Sequence, residues 1–149
     1  MINIRDFELN DLDRVMEIEN LTFKAPWKKE EMLYEINGNE FSHLGVIELD
    51  SRVVGFYDFW ITFDSATIAQ IAVDPLFHRQ GLASRMMEEI IKECQIKKVR
   101  NVTLEVRENN EKAVKMYAKF GFKTLLKKEK YYSNGDNALY MVREITNNG

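Results

Sequence analysis

The spacing of apolar residues along the chain predicts short strands and helices in alternation. Residues 2–7 alternate as a strand, and Asp11 is placed to cap the helix that follows. The segment from Lys24 to Trp27 breaks that helix, and a second helix starts near Lys28. Further strands are predicted at residues 41–49, 53–61, 66–73 and 99–106, helices from Gly81 and over 111–120, and a last hairpin from 127–132 and 138–145. The order β-α-α-β-β-β-α-β-α-β-β predicts an α/β chain with a mixed sheet and helices on its faces.

Length and composition favour one globular domain spanning residues 1–149. Hydrophobic residues make up 45 % of the chain and charged residues 30 %, which is typical of soluble proteins. The net charge of −3 argues against direct binding to nucleic acid, which usually needs a basic face. Charged residues interrupt the N-terminus, and no apolar run reaches membrane-spanning length. We therefore expect a cytoplasmic protein with no signal peptide and no membrane partner.

Cysteine and histidine are too few for a metal site. The chain has one cysteine, Cys94, and two histidines, His43 and His78. These residues make no metal-binding cluster, so no metal cofactor is expected. Cys94 falls on the apolar face of its helix and is expected to be a buried small hydrophobe, with a nucleophilic role as the alternative.

The run from Gln70 to Ala83 combines a strand, a short basic loop and a glycine at a helix start. Asp74-Pro75 ends the strand, because proline cannot extend the hydrogen-bond ladder. The first amides of the helix after Gly81 have no partner within it, and the helix dipole favours negative charge there. Glycine also has no Cβ that would collide with a ligand. The run therefore predicts an anion site, with an ordinary strand-to-helix turn as the alternative.

The loop resembles the pyrophosphate-binding loop of the GCN5-related N-acetyltransferases (the GNAT family), which hold acetyl-CoA. Gly81 and Ala83 fit the family pattern, whereas His78 stands where the family has glutamine or arginine. The resemblance implies acetyl-CoA as the co-substrate, its pyrophosphate held by the backbone amides of Arg79, Gln80, Gly81, Leu82, Ala83 and Ser84. It also implies that Ile71, Ala72 and Val73 present backbone groups to the pantetheine arm.

A second set of motifs extends the resemblance over most of the chain. A strand leads to Asn110, and the next helix has Tyr117 before Phe120-Gly121-Phe122, as in the GNAT family. Asn110 is placed to cap that helix, and the resemblance adds a contact with the cofactor. Glu19, Phe23, Pro26 and Trp27, with Tyr131-Tyr132 and residues 138–141, are similar to the bacterial ribosomal-protein alanine N-acetyltransferases (RimI type). Asn137 departs from that subgroup, which usually has Glu-Asp before the alanine.

This resemblance implies the GNAT acyl-CoA N-acyltransferase fold, with a mixed, mostly antiparallel central sheet flanked by helices. Acetylation needs a neutral amine, and at neutral pH roughly a tenth of terminal amines are neutral, against under a thousandth of lysines. Glu105 lies within an apolar strand, where desolvation would make its carboxylate a stronger base. The resemblance implies that Glu105 is the general base, acting through a water. A solvated sheet face, or an ion pair with Arg107, is the alternative.

Tyr117 falls on the buried stripe of its helix, where a core tyrosine is the plain interpretation. The resemblance implies that its hydroxyl is the general acid, which protonates the sulfur of CoA as it leaves. Trp27 either plugs the core or belongs to a peptide-groove wall formed by residues 25–34. One of Tyr131 and Tyr132 is expected to face outward from the last hairpin.

These residues together predict an acetyl-CoA-dependent N-acetyltransferase. The resemblance implies that its acceptor is the N-terminal alanine of a ribosomal protein, the eighteenth of the small subunit, so that a peptide N-terminus is the partner. One alternative is a relative that acetylates another peptide, a lysine or a small amine. A second is a catalytically silent CoA-binding sensor. The sequence does not indicate an oligomeric state.

Overall fold

This computed structural model describes residues 1–145. Within them lie seven strands and four α-helices, joined by loops and short 3₁₀ turns. The strands are β1 (Ile2–Asp6), β2 (Ser42–Leu49), β3 (Arg52–Thr62), β4 (Ser65–Val73), β5 (Asn101–Arg107), β6 (Lys123–Lys128) and β7 (Ala138–Glu144). The helices are α1 (Leu12–Thr22), α2 (Lys29–Asn37), α3 (Leu82–Ile96) and α4 (Glu111–Lys119). The predicted order of elements is confirmed. None of these helices is long and apolar enough to cross a membrane.

The strands form one mixed sheet in the order β1-β2-β3-β4-β5-β7-β6. Most of its pairs are antiparallel, whereas β4 and β5 run parallel, with Ser65–Thr67 opposite Asn101–Thr103. The β2–β3 hairpin turns at Asp50 and Ser51, whose φ angles are 50° and 69°. Two consecutive positive φ angles match the twist that a two-residue hairpin needs. The sheet expected from the sequence is therefore confirmed.

The chain divides into two compact units, and the first comprises Met1–Trp60 with Ala69–Ile90. Its core joins the apolar faces of α1 and α2 to residues of β2, β3 and β4. The buried members are Leu12, Val15, Ile18, Met32, Val46, Val53, Phe56 and Ala72. The helical spacing of the α1 and α2 members in the sequence is what turns them to one side.

The second unit comprises Ile61–Ile68 and the chain from Ile91 onward. In β5, alternate residues are buried, and Val102, Leu104 and Val106 form part of its core. Cys94 is fully buried in this unit, and burial raises the pKa of its thiol to about 11. The prediction of a buried, unreactive cysteine is confirmed, because a thiol that keeps its proton at neutral pH is a poor nucleophile.

The first strand of the last hairpin was predicted in the wrong place. The sequence places it at residues 127–132, but β6 is Lys123–Lys128, and Tyr131 and Tyr132 lie in the loop that follows. β6 is an edge strand that pairs with β7, and none of its residues is buried. β6 therefore lacks the alternation of apolar and polar residues that marks a half-buried strand. Because aromatic residues favour strands, Tyr131 and Tyr132 drew the predicted strand toward the C-terminus.

The capping role predicted for the Asp11 side chain is also wrong. Asp11 stands before α1, but its carboxylate accepts the Glu8 amide at 2.8 Å and binds Arg5 at 2.8 Å and 2.9 Å. The bond to Arg5 is the largest of the effects that together lower the pKa of Asp11. A 3₁₀ turn, Leu9–Asp11, precedes α1, and the side chain closes that turn instead.

Candidate active site

The loop that follows β4 is held at its start by a buried carboxylate. Asp74 is 2 % exposed, and its Oδ2 accepts a bond from Nη2 of Arg14 at 2.6 Å. Its Oδ1 accepts the Leu76 amide at 2.9 Å. Burial acts to raise the pKa of Asp74, but these bonds outweigh it and lower the pKa overall. His78, the departure from the family pattern, bonds through Nε2 to the Val73 carbonyl at 3.0 Å and so ties the loop back to β4.

The entry into α3 has the backbone geometry of an anion site. Gly81 has a φ of +75°, and a Cβ added there would meet no atom within 4 Å. Arg79, two residues earlier, also has a positive φ of 66°. The Arg85 amide bonds to the Gly81 carbonyl at 3.1 Å, so the amides of residues 82–84 lie in the first helical turn, where no intrahelical partner is possible. An anion could therefore approach this backbone closely.

β4 ends with Ile71, Ala72 and Val73, beyond the stretch Ser65–Thr67 that pairs with β5. Ile71 is half-buried, whereas Ala72 and Val73 are 4 % and 7 % exposed. The side chains of Ala72 and Val73 are therefore packed into the protein, and Val73 already uses its carbonyl in the bond with His78.

Glu105 lies on the outward side of β5, between the buried Leu104 and Val106. Its side chain is 35 % exposed, and its carboxylate binds Nζ of Lys128 at 2.9 Å. The expectation of a desolvated carboxylate is wrong. The strand buries its even-numbered residues, so Glu105 must point the other way. The alternative of a solvated sheet face is what the structure has, with Lys128 rather than Arg107 as the partner.

Three tyrosines lie close to the Glu105–Lys128 pair. Nζ of Lys128 lies 4.8 Å from the ring centroid of Tyr131 and 5.6 Å from that of Tyr140. Tyr140 is the residue opposite Glu105 in the antiparallel register of β5 and β7. Tyr131 is 50 % exposed and contacts Tyr132 edge to face, with ring centroids 5.2 Å apart. An outward-facing tyrosine was expected here, and Tyr131 has that position.

Polar contacts fasten the loop between β6 and β7 to β5 and the residue after it. Arg107 stacks on the Tyr132 ring at 3.8 Å and binds Asp136 at 2.9 Å. Asn137, the second departure from the family pattern, donates through Nδ2 to Glu108 at 3.1 Å. These contacts hold the tyrosines of the loop near Glu105, and Asn137 serves as one of the anchors.

Tyr117 is 8 % exposed on α4, and its ring meets that of Phe122 edge to face at 5.9 Å. Burial raises the pKa of Tyr117, so at neutral pH the hydroxyl keeps its proton and can act as a donor. Asn110 stands at the start of the same helix, where its Oδ1 accepts the Ala113 amide at 3.3 Å. The predicted helix cap is therefore confirmed.

Trp27 is held by a buried carboxylate that sequence reasoning counted only as part of a motif. Glu19 is fully buried, and its Oε2 accepts the Trp27 amide and Nε2 of Gln70, each at 2.9 Å. Burial raises the pKa of Glu19, although these two bonds act in the opposite direction. The signature of Glu19 and Pro26-Trp27 thus forms one structural unit that links α1, the following segment and β4.

The predicted site residues form two sets. Residues 71–73 and 79–84 belong to the first unit, and Glu105, Asn110 and Tyr117 belong to the second. Sequence reasoning missed Lys128, Glu35, Asp58 and Trp60 as contributors to polar sites, and it considered Arg107 only as a partner of Glu105 rather than of Asp136 and Tyr132. A sequence signal was present for Glu35 and Asp58, because each is a carboxylate within an otherwise apolar stretch or face. The structure leaves both 5 % or less exposed.

Comparison with known proteins shows which family the chain resembles. The sequence pattern of the Acetyltransferase (GNAT) family matches residues 12–122. The chain belongs to this family. The expected acetyltransferase class and GNAT fold are thereby confirmed, and so is the resemblance drawn from the two motifs. Family members use acetyl-CoA.

Individual relatives of this GNAT chain are similar over nearly its whole length. A Salmonella typhimurium protein named ribosomal protein bS18-alanine N-acetyltransferase is 31 % identical over 149 residues, which is 98 % of this chain and 99 % of that protein. A Bacillus subtilis protein provisionally given the same name is 36 % identical over 139 residues. That match covers 93 % of this chain and 92 % of the Bacillus protein. The crystal structure of the ribosomal-protein-S18-alanine N-acetyltransferase from Escherichia coli has a TM-score of 0.92 and 28 % identity, and the match covers 100 % of this chain and 97 % of that one.

Proposed function

We propose that this chain is a single-domain, cytoplasmic enzyme that transfers the acetyl group of acetyl-CoA to the N-terminal alanine of the eighteenth small-subunit ribosomal protein. The observation that carries the proposal is the similarity, over nearly the full length, to enzymes named for this activity. The contacts that join Glu19 to Trp27 support it, because they give the subgroup signature a structural role.

The loop before α3 fits the pyrophosphate of acetyl-CoA. The open space beside Gly81 admits a phosphate to the backbone, and the first-turn amides of residues 82–84 can donate to it. Arg79 and Gln80 would add their amides, Asn110 a polar side chain, and residues 71–73 backbone groups for the pantetheine arm. When bound, acetyl-CoA supplies an acetyl thioester that is already activated.

In the proposed mechanism Glu105 takes the proton of the terminal ammonium through a water. A terminal amine has a pKa of about 8, so a carboxylate acting through a water is enough to remove its proton. A lysine, with a pKa of about 10.4, would need a stronger base. The lower pKa of a terminal amine therefore favours it over a lysine as the acceptor. Tyr117 keeps its proton until the sulfur leaves and then donates it.

Replacing Gly81 with leucine is expected to weaken acetyl-CoA binding by about 10–100-fold, the value of one charge-assisted hydrogen bond. The side chain would occupy the open space beside the backbone and would strain a φ of +75°. Calorimetric titration with acetyl-CoA measures the effect. Gly135→Leu is the matched control, because Gly135 has a φ of +90° and equally open space in the β6–β7 loop. Equal affinity in the two variants, both folded by circular dichroism, would remove the phosphate role of the loop.

Incubation with acetyl-CoA and a panel of short peptides, read by mass spectrometry, tests the proposed function. We expect acetylation of alanine-led peptides at the terminal amine and release of free CoA thiol. Modification confined to lysine side chains or to small amines would replace this function with that of another GNAT enzyme. Binding of acetyl-CoA with no thiol released for any amine would indicate a silent sensor.

A further inference from the structure

The first unit has a pocket of about 480 Å³. It is lined by Trp27, Glu30, Glu31, Tyr34, Glu35 and Trp60. Trp27 precedes α2, and Trp60 lies near the end of β3. The other four lining residues belong to α2. The pocket therefore combines three aromatic rings with three carboxylates.

Negative charge in this pocket has no basic counterpart among the lining residues. Glu30 and Glu31 are exposed at the surface, and Glu35 is buried on the inner side. The Glu35 carboxylate accepts the Nε1 hydrogen of Trp60 at 2.5 Å. Burial acts to raise the pKa of Glu35, but hydrogen bonds from its neighbours, Asp58 first among them, lower it overall. Glu35 is therefore ionised at neutral pH.

A second, fully buried carboxyl group, that of Asp58, lies next to Glu35. Asp58 precedes Trp60 by two residues in β3, so both side chains leave one face of the strand. Neither carboxyl oxygen of Asp58 receives a hydrogen bond from any group in residues 1–145. Burial, reinforced by Glu35, raises the pKa of Asp58 to about 9. Asp58 therefore keeps its proton at neutral pH and can donate a hydrogen bond to the Glu35 carboxylate.

Aromatic rings beside carboxylates favour an organic cation as the ligand. Ring faces attract a cation electrostatically, and carboxylates bind an ammonium or guanidinium group through charge-assisted hydrogen bonds. Tyr34 is 60 % exposed, so a long side chain can enter from solvent. We propose that this pocket binds a lysine or arginine side chain of the acceptor peptide, downstream of its N-terminal alanine. The peptide as occupant rests on the proposed function, whereas the preference for a cation rests on the pocket.

Peptides that differ only in having arginine or citrulline at one of positions two to six test the proposal. Citrulline keeps the shape of arginine and removes its charge. We expect kcat/KM to be about tenfold higher for arginine at one of these positions, with the difference mainly in KM. Glu31→Gln should reduce that preference to about threefold or less. Glu88→Gln, which changes the net charge equally but lies on the exposed face of α3, should keep it.

Tryptophan fluorescence gives a second readout that needs no acetyl transfer. The chain has two tryptophans, and both line the pocket. We expect the preferred arginine peptide, but not its citrulline counterpart, to change the fluorescence saturably. Glu31→Gln should weaken that response, and Glu88→Gln should not.

The two readouts separate failure of this inference from failure of the proposed function. If alanine-led peptides are acetylated but kcat/KM is equal for arginine and citrulline at every position, the pocket does not bind a cationic side chain of the peptide. The proposed function would be unaffected by that result. If no alanine-led peptide is acetylated, the proposed function fails. A saturable response to arginine alone would then still support a cation pocket, and a flat response would overturn it.

Discussion

Replacing Glu105 with glutamine is expected to slow acetylation of an alanine-led peptide by about 10²–10⁴-fold at pH 7. The substitution keeps the shape of the side chain and removes the carboxylate that would take the proton of the amine. Raising the pH should restore part of the rate, because the neutral fraction of a terminal amine grows as the pH approaches and passes its pKa of about 8. Single-turnover rates at pH 7 and pH 9 measure both effects.

The ion pair between Glu105 and Lys128 provides a matched control. Glu105→Gln and Lys128→Met each remove the ion pair, whose atoms are 2.9 Å apart, but the second keeps the carboxylate. A partly exposed pair adds little to stability, so both variants should melt close to the wild type. Lys128→Met should retain a rate within about tenfold of the wild type, because the carboxylate remains as the base. Equal losses in the two variants, or wild-type turnover of Glu105→Gln at pH 7, would contradict the assignment.

The fold followed from the sequence wherever a strand or helix buries one face. α1, α3 and β5 have apolar residues at the spacing of their own period, and the chain buries those residues. β6 shows why the rest could not be predicted in the same way. An edge strand with no buried residue is specified by its pairing with β7, which is a long-range contact that no local pattern reports.

Sequence motifs predicted the residues of the candidate site, but not the charged groups that lie next to them. The family resemblance selected Glu105, because its position in β5 left the catalytic role and a solvated face equally open. The alternation of the strand already indicated that its side chain points away from those of Leu104 and Val106. Its partner Lys128 is 23 residues further along the chain, so no local spacing could identify the pair. Glu35 and Asp58 meet in the same way, because α2 and β3 bring together carboxyl groups that are distant in sequence.

Replacing Tyr117 with phenylalanine is expected to slow acetyl transfer by about 10²–10⁴-fold and to leave acetyl-CoA binding nearly intact. Phenylalanine keeps the apolar volume and the ring contact with Phe122. A purely structural tyrosine would therefore lose little beyond one hydrogen bond, about 1 kcal/mol. Because burial raises the pKa of Tyr117, the chemistry that the variant loses is donation of a proton, not its removal.

Tyr57→Phe is the matched control for this variant, because it removes another buried tyrosine hydroxyl, on β3 in the first unit. Single-turnover acetylation of an alanine-led peptide, measured beside thermal melting, separates rate from stability in both variants. We expect Tyr57→Phe to keep the wild-type rate whatever it does to the melting temperature. A stable Tyr117→Phe variant of normal rate would make Tyr117 a core residue. The proton donor would then have to be sought at Tyr131 or Tyr132, which the loop contacts already hold near Glu105.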